Sequence, residues 1–494
     1  MLLEYTPEQL LLLPPNLEEL LPEGHLARII SLAVDKLDIN NIIRKYNSIE
    51  GRPAYHPAMM LKIIFYSYTK GIRSSRQIAK NLESDTAYMW LSGMQRPDFR
   101  TISDFRKDNL AELKEQFVQI IRLCMALGMV NLRHASIDGT KIKANAGKGK
   151  MRDREGLKRE IKKISKEVEA ILSEAELADR SEDAQYGTEN RGDEIPTELK
   201  EKQKLVEKIE QLMEEMEAEK TCSKVNLTDK DARLMKNSDG GYEVAYNAQA
   251  VVDGEELVII ACGVTNEPMD LNQLEPMLEQ VKENARNLPK ELSADSGYYS
   301  GRNLSICKEQ GVEAFISRSR GDEGTLTEED KGDTSGFTKK DFRYDAGRDI
   351  YVCPAGEFLY HTNTMERKSK YSSRQISYYR GKACAECSLR NQCMPEQRGN
   401  RRIDRDGYEE LRAEMRDRLA MDDGKAKYRK RKCIVEPVFG QIKYIQGVME
   451  FLLRQIEKVK AEWRLVCLAH NLRKIWSWAS RDKGNMGMLM ACQI

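Results

Sequence analysis

Apolar residues fall at helical spacing through the first quarter of the chain, in HLARIISLAVDKL and again in PAMMLKIIFYSYTKGI. SSRQIAKNL, DTAYMWLSG and PDFRTISDFRKDNL follow as short helices separated by Gly93 and Pro97, with Ser74 or Ser75, and Thr101 or Ser103, as expected N-caps. Near residue 132 the period changes to two. RHASIDGTKIKA alternates and reads as a strand ending near Asp138, before a Gly- and Lys-rich loop at Gly147–Lys150. Helical spacing then returns. Leu157, Ile161, Ile164, Val168, Ile171 and Ala175 form one seam, and Leu205, Ile209, Leu212 and Met216 a second after the polar stretch Ser181–Ile195. The pair predicts an antiparallel helical hairpin, which either dimerises or packs on itself.

The alternating pattern resumes in GYEVAYNAQAVVDGEELVIIACGVT, where Asp253-Gly254 marks a hairpin turn. A helix (LNQLEPMLEQVKENAR), a strand (ELSADSG), a helix (GRNLSICKEQG) and a strand (VEAFISRS) follow. Residues 320–350 read as polar loop, YVCPAGEFLY as strand-like at its end, and the chain from Tyr408 through Trp476 as helical. The expected architecture is therefore α/β. An all-helical domain (1–125) precedes a mixed sheet with flanking helices (126–345), itself interrupted by the hairpin at 151–220. A Cys-containing basic insertion (346–405), a helical segment completing the core (406–480) and a tail (481–494) close the chain.

Charge changes this picture only locally. Lys plus Arg (80) nearly balances Asp plus Glu (79) over 494 residues, which argues mildly against a nucleic-acid partner. Yet the cations cluster at Lys148–Lys163, Arg367–Lys370, Arg398–Arg405 and Lys425–Lys432, while much of the acid sits in Glu174–Glu201. The short N-terminal helices, with Arg73, Arg76, Arg96, Arg100 and Arg106, suit either a helix-turn-helix-like DNA reader or a helical domain with a solvated Arg face. No apolar run is long enough to span a membrane, and the Leu-rich start lacks a basic leader. Scattered single cysteines among the 11 point to a reduced, intracellular setting.

Candidate chemistry lies in three acids. Asp138 (DGTK) and Asp295 (ADSGYYS) each follow a β-rich run and precede a glycine, and Glu436 stands alone in the cationic stretch KYRKRKCIVEPVFGQIK. Three carboxylates beside cations suit phosphodiester chemistry by two Mg²⁺ ions, about 3.5–4 Å apart, which need oxygen ligands and no histidine. With five histidines and no HExxH, GxSxG or GxxxxGK[ST], nothing marks a zinc protease, serine hydrolase or P-loop NTPase. Cys384, Cys387 and Cys393, with Cys353 in CPAG, suit a structural Zn²⁺, packed reduced thiols or a redox pair.

Together DGTK, ADSGYYS and YRKRKCIVEPVFGQIK resemble the DDE transposases of bacterial insertion sequences, in the branch with a Tyr-Arg-Glu-Lys signature around the third acid. GRPAYHPAMMLKIIFYSYTKGIRSSRQIAKNL and PDFRTISDFR resemble the N-terminal domain of that branch, so the likeness spans roughly residues 15–478. The resemblance implies a ribonuclease H-like core in which Asp138, Asp295 and Glu436 hold two Mg²⁺ (or Mn²⁺) ions. It implies Tyr428, Arg431 and Lys443 as signature residues at DNA ends, with Arg429, Lys432, Lys141, Arg76 and Arg100 as further DNA contacts. Four residues separate Arg431 from Glu436 where the branch commonly has three, so Lys432 competes with Arg431 for that role. It further implies end cleavage followed by strand transfer, a homodimer or larger assembly on double-stranded DNA, and a bacterial cytoplasmic, nucleoid-associated location. Tyr298 or Tyr299 is a candidate to stack a displaced base.

Overall fold

The computed structural model describes residues 16–47, 53–186, 197–218, 224–237, 240–318, 337–368, 373–394 and 399–492. Five strands build the main sheet: β1 His134–Lys143, β2 Tyr242–Asp253, β3 Ile259–Thr265, β4 Glu291–Ala294 and β5 Glu313–Ile316. They lie in the order β3-β2-β1-β4-β5, with the short strand Arg233–Lys236 also pairing with β2. The β1–β2 and β2–β3 pairings are antiparallel; β1–β4 and β4–β5 are parallel. The β2–β3 hairpin turns at Asp253-Gly254, and helices Leu274–Ala285 and Gly301–Glu309 supply the crossovers that parallel pairing requires.

β1 does not end at Asp138. Its pairing with β2 runs on to Lys143 opposite Ala245, which leaves Asp138 in mid-strand opposite Ala250. The C-terminal segment also departs from one helical run. Helices Glu409–Ala420, Asp422–Arg429 and Arg431–Gly440 continue into a π-helical turn, Gln441–Ile445; residues 446–455 are not helical, and the next helix is Ile456–Ala479. The break is held by buried groups that sequence periodicity does not register. Glu462 accepts the Leu452 and Leu453 N–H groups and pairs with Arg73 at 2.9 Å, while Phe451 packs against Trp463.

Helix Ile456–Ala479 is the centre of the molecule. It packs against β3 on one side and against helices Leu26–Asp35, Pro57–Thr69 and Leu110–Ala126 on the other. Burial on nearly all sides explains why its sequence shows apolar residues around the whole circumference. One apolar core consequently runs from Leu21 to Leu489. The segment after 481 contributes the helix Lys483–Ala491, and Lys36 Nζ donates to its Met490 carbonyl at 2.9 Å.

Two smaller cores stand apart. Helices Arg154–Tyr186 and Thr197–Ala218 pack on each other through Leu157, Ile161, Ile164, Val168, Val206, Ile209, Met213 and Met216. Leu205, placed in the seam by spacing, is exposed, and Val206 takes its place. Residues 343–406 form a five-stranded antiparallel sheet in chain order, on a core of Phe342, Tyr351, Leu359, Tyr379 and Ile403. Part of the expected 320–350 loop therefore belongs to strands Arg343–Asp345 and Ile350–Val352; residues 319–336 lie outside the described residues.

Among the short N-terminal helices, Ser74 holds the N-cap position of Ser75–Ser84 without a side-chain bond. Asp98, not Thr101 or Ser103, caps Phe99–Asp108, accepting the Thr101 N–H at 2.7 Å. Arg73 and Arg106 do not line an exposed face. Arg73 is buried on Glu462, and Arg106 donates to the Arg73 carbonyl, Tyr68 and Ser75. Arg76, Arg96 and Arg100 remain exposed.

Candidate active site

The parallel ladder brings the first two acids together. β1 and β4 pair up to Ile137 opposite Ala294, and the next residue on each strand is an aspartate. Asp295 thus projects from the carboxyl end of β4, beside Asp138 in the middle of β1, with neighbouring strands about 4.8 Å apart. Each carboxylate binds a nearby backbone N–H: Asp138 that of Gly139 at 2.7 Å, Asp295 that of Gly297 at 2.9 Å.

Burial and mutual repulsion dominate their electrostatics. Asp138 is pushed up to about 7, first by desolvation and then by the negative charges of Asp295 and Asp270, against the lowering effect of its own hydrogen bond and Arg431. Asp295 is raised by burial and by Asp270, with Arg431 and Lys141 opposing.

Helix Arg431–Gly440 packs across β1 and carries Glu436 on its outer side, 43% exposed. Pro437 lies inside this helix rather than starting it. Arg431 Nη1 donates to Glu436 Oε1 at 2.9 Å, and the same guanidinium offsets the charges of Asp138 and Asp295. One cation thereby joins the third acid to the other two. Lys443, in the π-helical turn, is half-buried; desolvation lowers its pKa while Asp138 opposes that shift. Single π turns recur at functional sites.

Several expected DNA contacts are placed differently. Tyr428 is buried under the Arg431 guanidinium, 5.2 Å from its ring centroid, so it orients Arg431 rather than reaching solvent. Lys141 turns inward to Asp270 at 3.5 Å. Tyr298 is buried and donates to Gln249 Oε1, which removes it as a stacking surface. Tyr299 lines a cleft of about 860 Å³ shared with Arg302, Arg318, Lys339 and Arg412. Arg429 and Lys432 are exposed beside the site. Arg76 and Arg100 are exposed on the N-terminal helices, flanking the Phe99 ring at 5.2 and 5.8 Å.

Asp270, in the loop after β3, escaped sequence reasoning. Its Oδ1 accepts from Asn247 Nδ2 at 2.6 Å and Gln249 Nε2 at 2.7 Å. The signal that could have found it is the glycine after each acid: a Cβ on Gly139 would lie 2.5 Å from Asp270 Oδ1, and one on Gly297 would lie 3.2 Å from Oδ2.

The donor set of this site is oxygen only, and its acids lack enough positive charge to ionise at their ordinary values, which suits a hard divalent cation. Among the described residues no three His, Cys, Asp or Glu side chains close into a ready-made cage. Mg²⁺ does not demand one, since it keeps several waters and takes one or two carboxylates plus substrate phosphate. The Asp138–Asp295 pair fits that requirement.

The cysteines meet elsewhere. Cys353, Cys384, Cys387 and Cys393 line one cavity of about 30 Å³ in the 343–406 sheet region. Burial raises the Cys393 thiol and the other three cysteines add to the shift, while the Arg401 N–H donates to Cys384 Sγ at 3.4 Å.

Comparison with known proteins finds similarity over two segments. Residues 352–476 match the family model of a transposase DDE domain, a span that includes Glu436 and the four cysteines. Residues 15–108 match that of a transposase domain (DUF772). No curated protein matches the chain. Both matches are to transposase families, one over the N-terminal helices and one over the segment that carries Glu436.

Proposed function

We propose that this chain binds the ends of an insertion sequence and cuts and rejoins DNA through Asp138, Asp295 and Glu436 in a ribonuclease H-like core. The mixed sheet, with two crossover helices and a third acid on a helix laid across β1, supports that fold reading. The observation that carries the functional reading is the meeting of Asp138, in the middle of β1, with Asp295 at the end of the neighbouring β4, coupled through Arg431 to Glu436.

Two magnesium or manganese ions, when bound, supply activation of the attacking oxygen and charge stabilisation of the leaving one. The chain does the rest. Asp138 and Asp295 would hold the cation together, and Asp138 would release its proton in doing so. Glu436, which accepts from Arg431, completes the acid set. Arg431 and Lys443, half-buried near the acids, face the phosphate; Arg429 and Lys432 neutralise its neighbours, and Arg76 and Arg100 hold DNA on the N-terminal helices. Water first breaks the phosphodiester at the element end, leaving a 3′-hydroxyl. That hydroxyl then attacks a target phosphodiester, forming one P–O bond as another breaks, so no ATP is consumed. Two element ends must be held together, which calls for a dimer or larger assembly on DNA. Cys353, Cys384, Cys387 and Cys393 share one cavity without closing into a ready-made cage; a structural Zn²⁺ drawn in by them would staple a sheet whose own apolar core is five residues.

The test is incubation of the purified protein with element-end DNA and Mg²⁺. Cleaved and joined strands are expected from the wild type, and DNA binding without cleavage from Asp138→Asn or Asp295→Asn. Undiminished cleavage by either variant overturns the assignment; nicks without joined products reduce it to a nuclease.

A further inference from the structure

Asp270 belongs to no expected acid set, yet the chain clears space for it twice. A Cβ on Gly139 would strike the Gln249 amide at 2.3 Å and the Asp270 carboxylate at 2.5 Å, and one on Gly297 would crowd Asp295 Oδ1 at 3.0 Å and Asp270 Oδ2 at 3.2 Å. Its Oδ1 is fixed by two amides from β2, Asn247 and Gln249, and these are themselves linked at 3.0 Å. Gln249 also accepts the Tyr298 hydroxyl, and its carbonyl takes the Trp463 indole N–H at 3.0 Å, so the mount is anchored in the core. Oδ2 accepts no such bond from these amides and lies on the Gly297 side, where Asp295 Oδ1 also lies: the two oxygens are 3.2 and 3.0 Å from the same missing Cβ. Placing a third carboxylate on a rigid polar mount beside two buried acids works against stability unless positive charge is to be held there. Lys141, 3.5 Å from Asp270, and Arg431, already bonded to Glu436, are the cations set against these carboxylates.

We propose that Asp270 is a positioning carboxylate of the divalent-cation site, acting behind Asp138 and Asp295 to strengthen cation binding and to hold Lys141 off the metal-facing oxygens. This rests on the proposed cation-dependent function of the same pocket. It assigns Asp270 the outer role that hydrogen-bonded groups around metal ligands commonly fill, where loss costs roughly 10–100-fold in metal affinity.

Asp270→Asn tests it, because the amide oxygen can still accept from Asn247 and Gln249 while the charge is gone. The readouts are Mn²⁺ affinity by titration calorimetry, and the melting-temperature rise caused by saturating Mn²⁺. Wild type, Asp270→Asn and Asp138→Asn are measured in parallel with strand cleavage. The expected result is Mn²⁺ binding weakened about tenfold or more in Asp270→Asn, with a smaller Mn²⁺-induced rise and a metal-free melting temperature at or above that of wild type. A purely structural Asp270 would lower the metal-free melting temperature and leave Mn²⁺ affinity intact, and that result overturns the proposal. Should Asp270→Asn misfold, Asp270→Ser gives the same readout. If Asp138→Asn loses Mn²⁺ affinity and cleavage while Asp270→Asn loses neither, only the role of Asp270 falls. If Asp138→Asn keeps both, the cation site itself falls.

Discussion

Replacing Asp138 by Asn should make the metal-free protein more stable while abolishing strand cleavage. Asp138 is held near 7 by burial and by Asp295 and Asp270, against an ordinary value of 3.8. Because the folded value is the higher one, folding takes up a proton between these limits. The stabilising contribution is complete below about 3.8 and is lost as pH rises through about 7. The whole interval corresponds to about 4 kcal/mol at pH 8, and to less than about half of that at pH 5. An uncharged amide escapes this cost. Relaxation of the pocket and entry of water should bring the gain at pH 8 to roughly 2 kcal/mol. Urea unfolding in EDTA, followed by tryptophan fluorescence, measures it. Trp463 is buried and bonded to the Gln249 carbonyl beside the acids, so it reports on this part of the core. Saturating Mg²⁺ should shrink the difference, because the cation neutralises the wild-type acids. A variant less stable than wild type at pH 8 in EDTA, or a gain of equal size at pH 5, would refute the electrostatic argument.

Other expectations follow from the same coordinates. Arg73→Ala leaves the Glu462 carboxylate buried with only backbone donors, and should cost about 3–5 kcal/mol in an equilibrium unfolding measurement. Gly424→Ala drives a Cβ into the Arg418 carbonyl, where helices Glu409–Ala420 and Asp422–Arg429 meet. It should lower stability by about 1–3 kcal/mol and reduce cleavage by displacing Tyr428 and Arg431; wild-type melting and activity would contradict this. Arg76→Ala and Arg100→Ala should each weaken element-end binding and reduce the slope of log affinity against log salt by about one. Cys387→Ser should release the zinc found by elemental analysis in the wild type, and lower the melting temperature; a metal-free wild type would leave the cysteines as packed thiols.

Asp138 and Asp295 were legible because each lies in or just past an apolar, β-rich run and is followed by a glycine that leaves room beside it, although the run around Asp138 continues to Lys143. Their distance in sequence was no obstacle, since parallel pairing of β1 with β4 sets them side by side. Asp270 was not legible: it sits in a loop, NEPMD, without periodicity, and its importance comes from amides on another strand. Tyr428 and Lys141 were misjudged for one reason. A polar residue in a basic stretch reads as exposed, but both turn inward, to Arg431 and to Asp270. The helix break at 446–455 was hidden because FLLRQIEKVKAEW keeps a helical apolar phase across it, and the Arg73–Glu462 pair that stabilises the break joins residues nearly four hundred positions apart.

The central position of helix Ile456–Ala479 bears on how the protein is made. During translation the N-terminal helices and β3 emerge early, yet the helix that unites them emerges well after both. A nascent chain lacking it carries two unfinished apolar faces and should depend on chaperones until this helix appears. Premature stop codons upstream of Ile456 would therefore yield insoluble fragments rather than soluble partial chains.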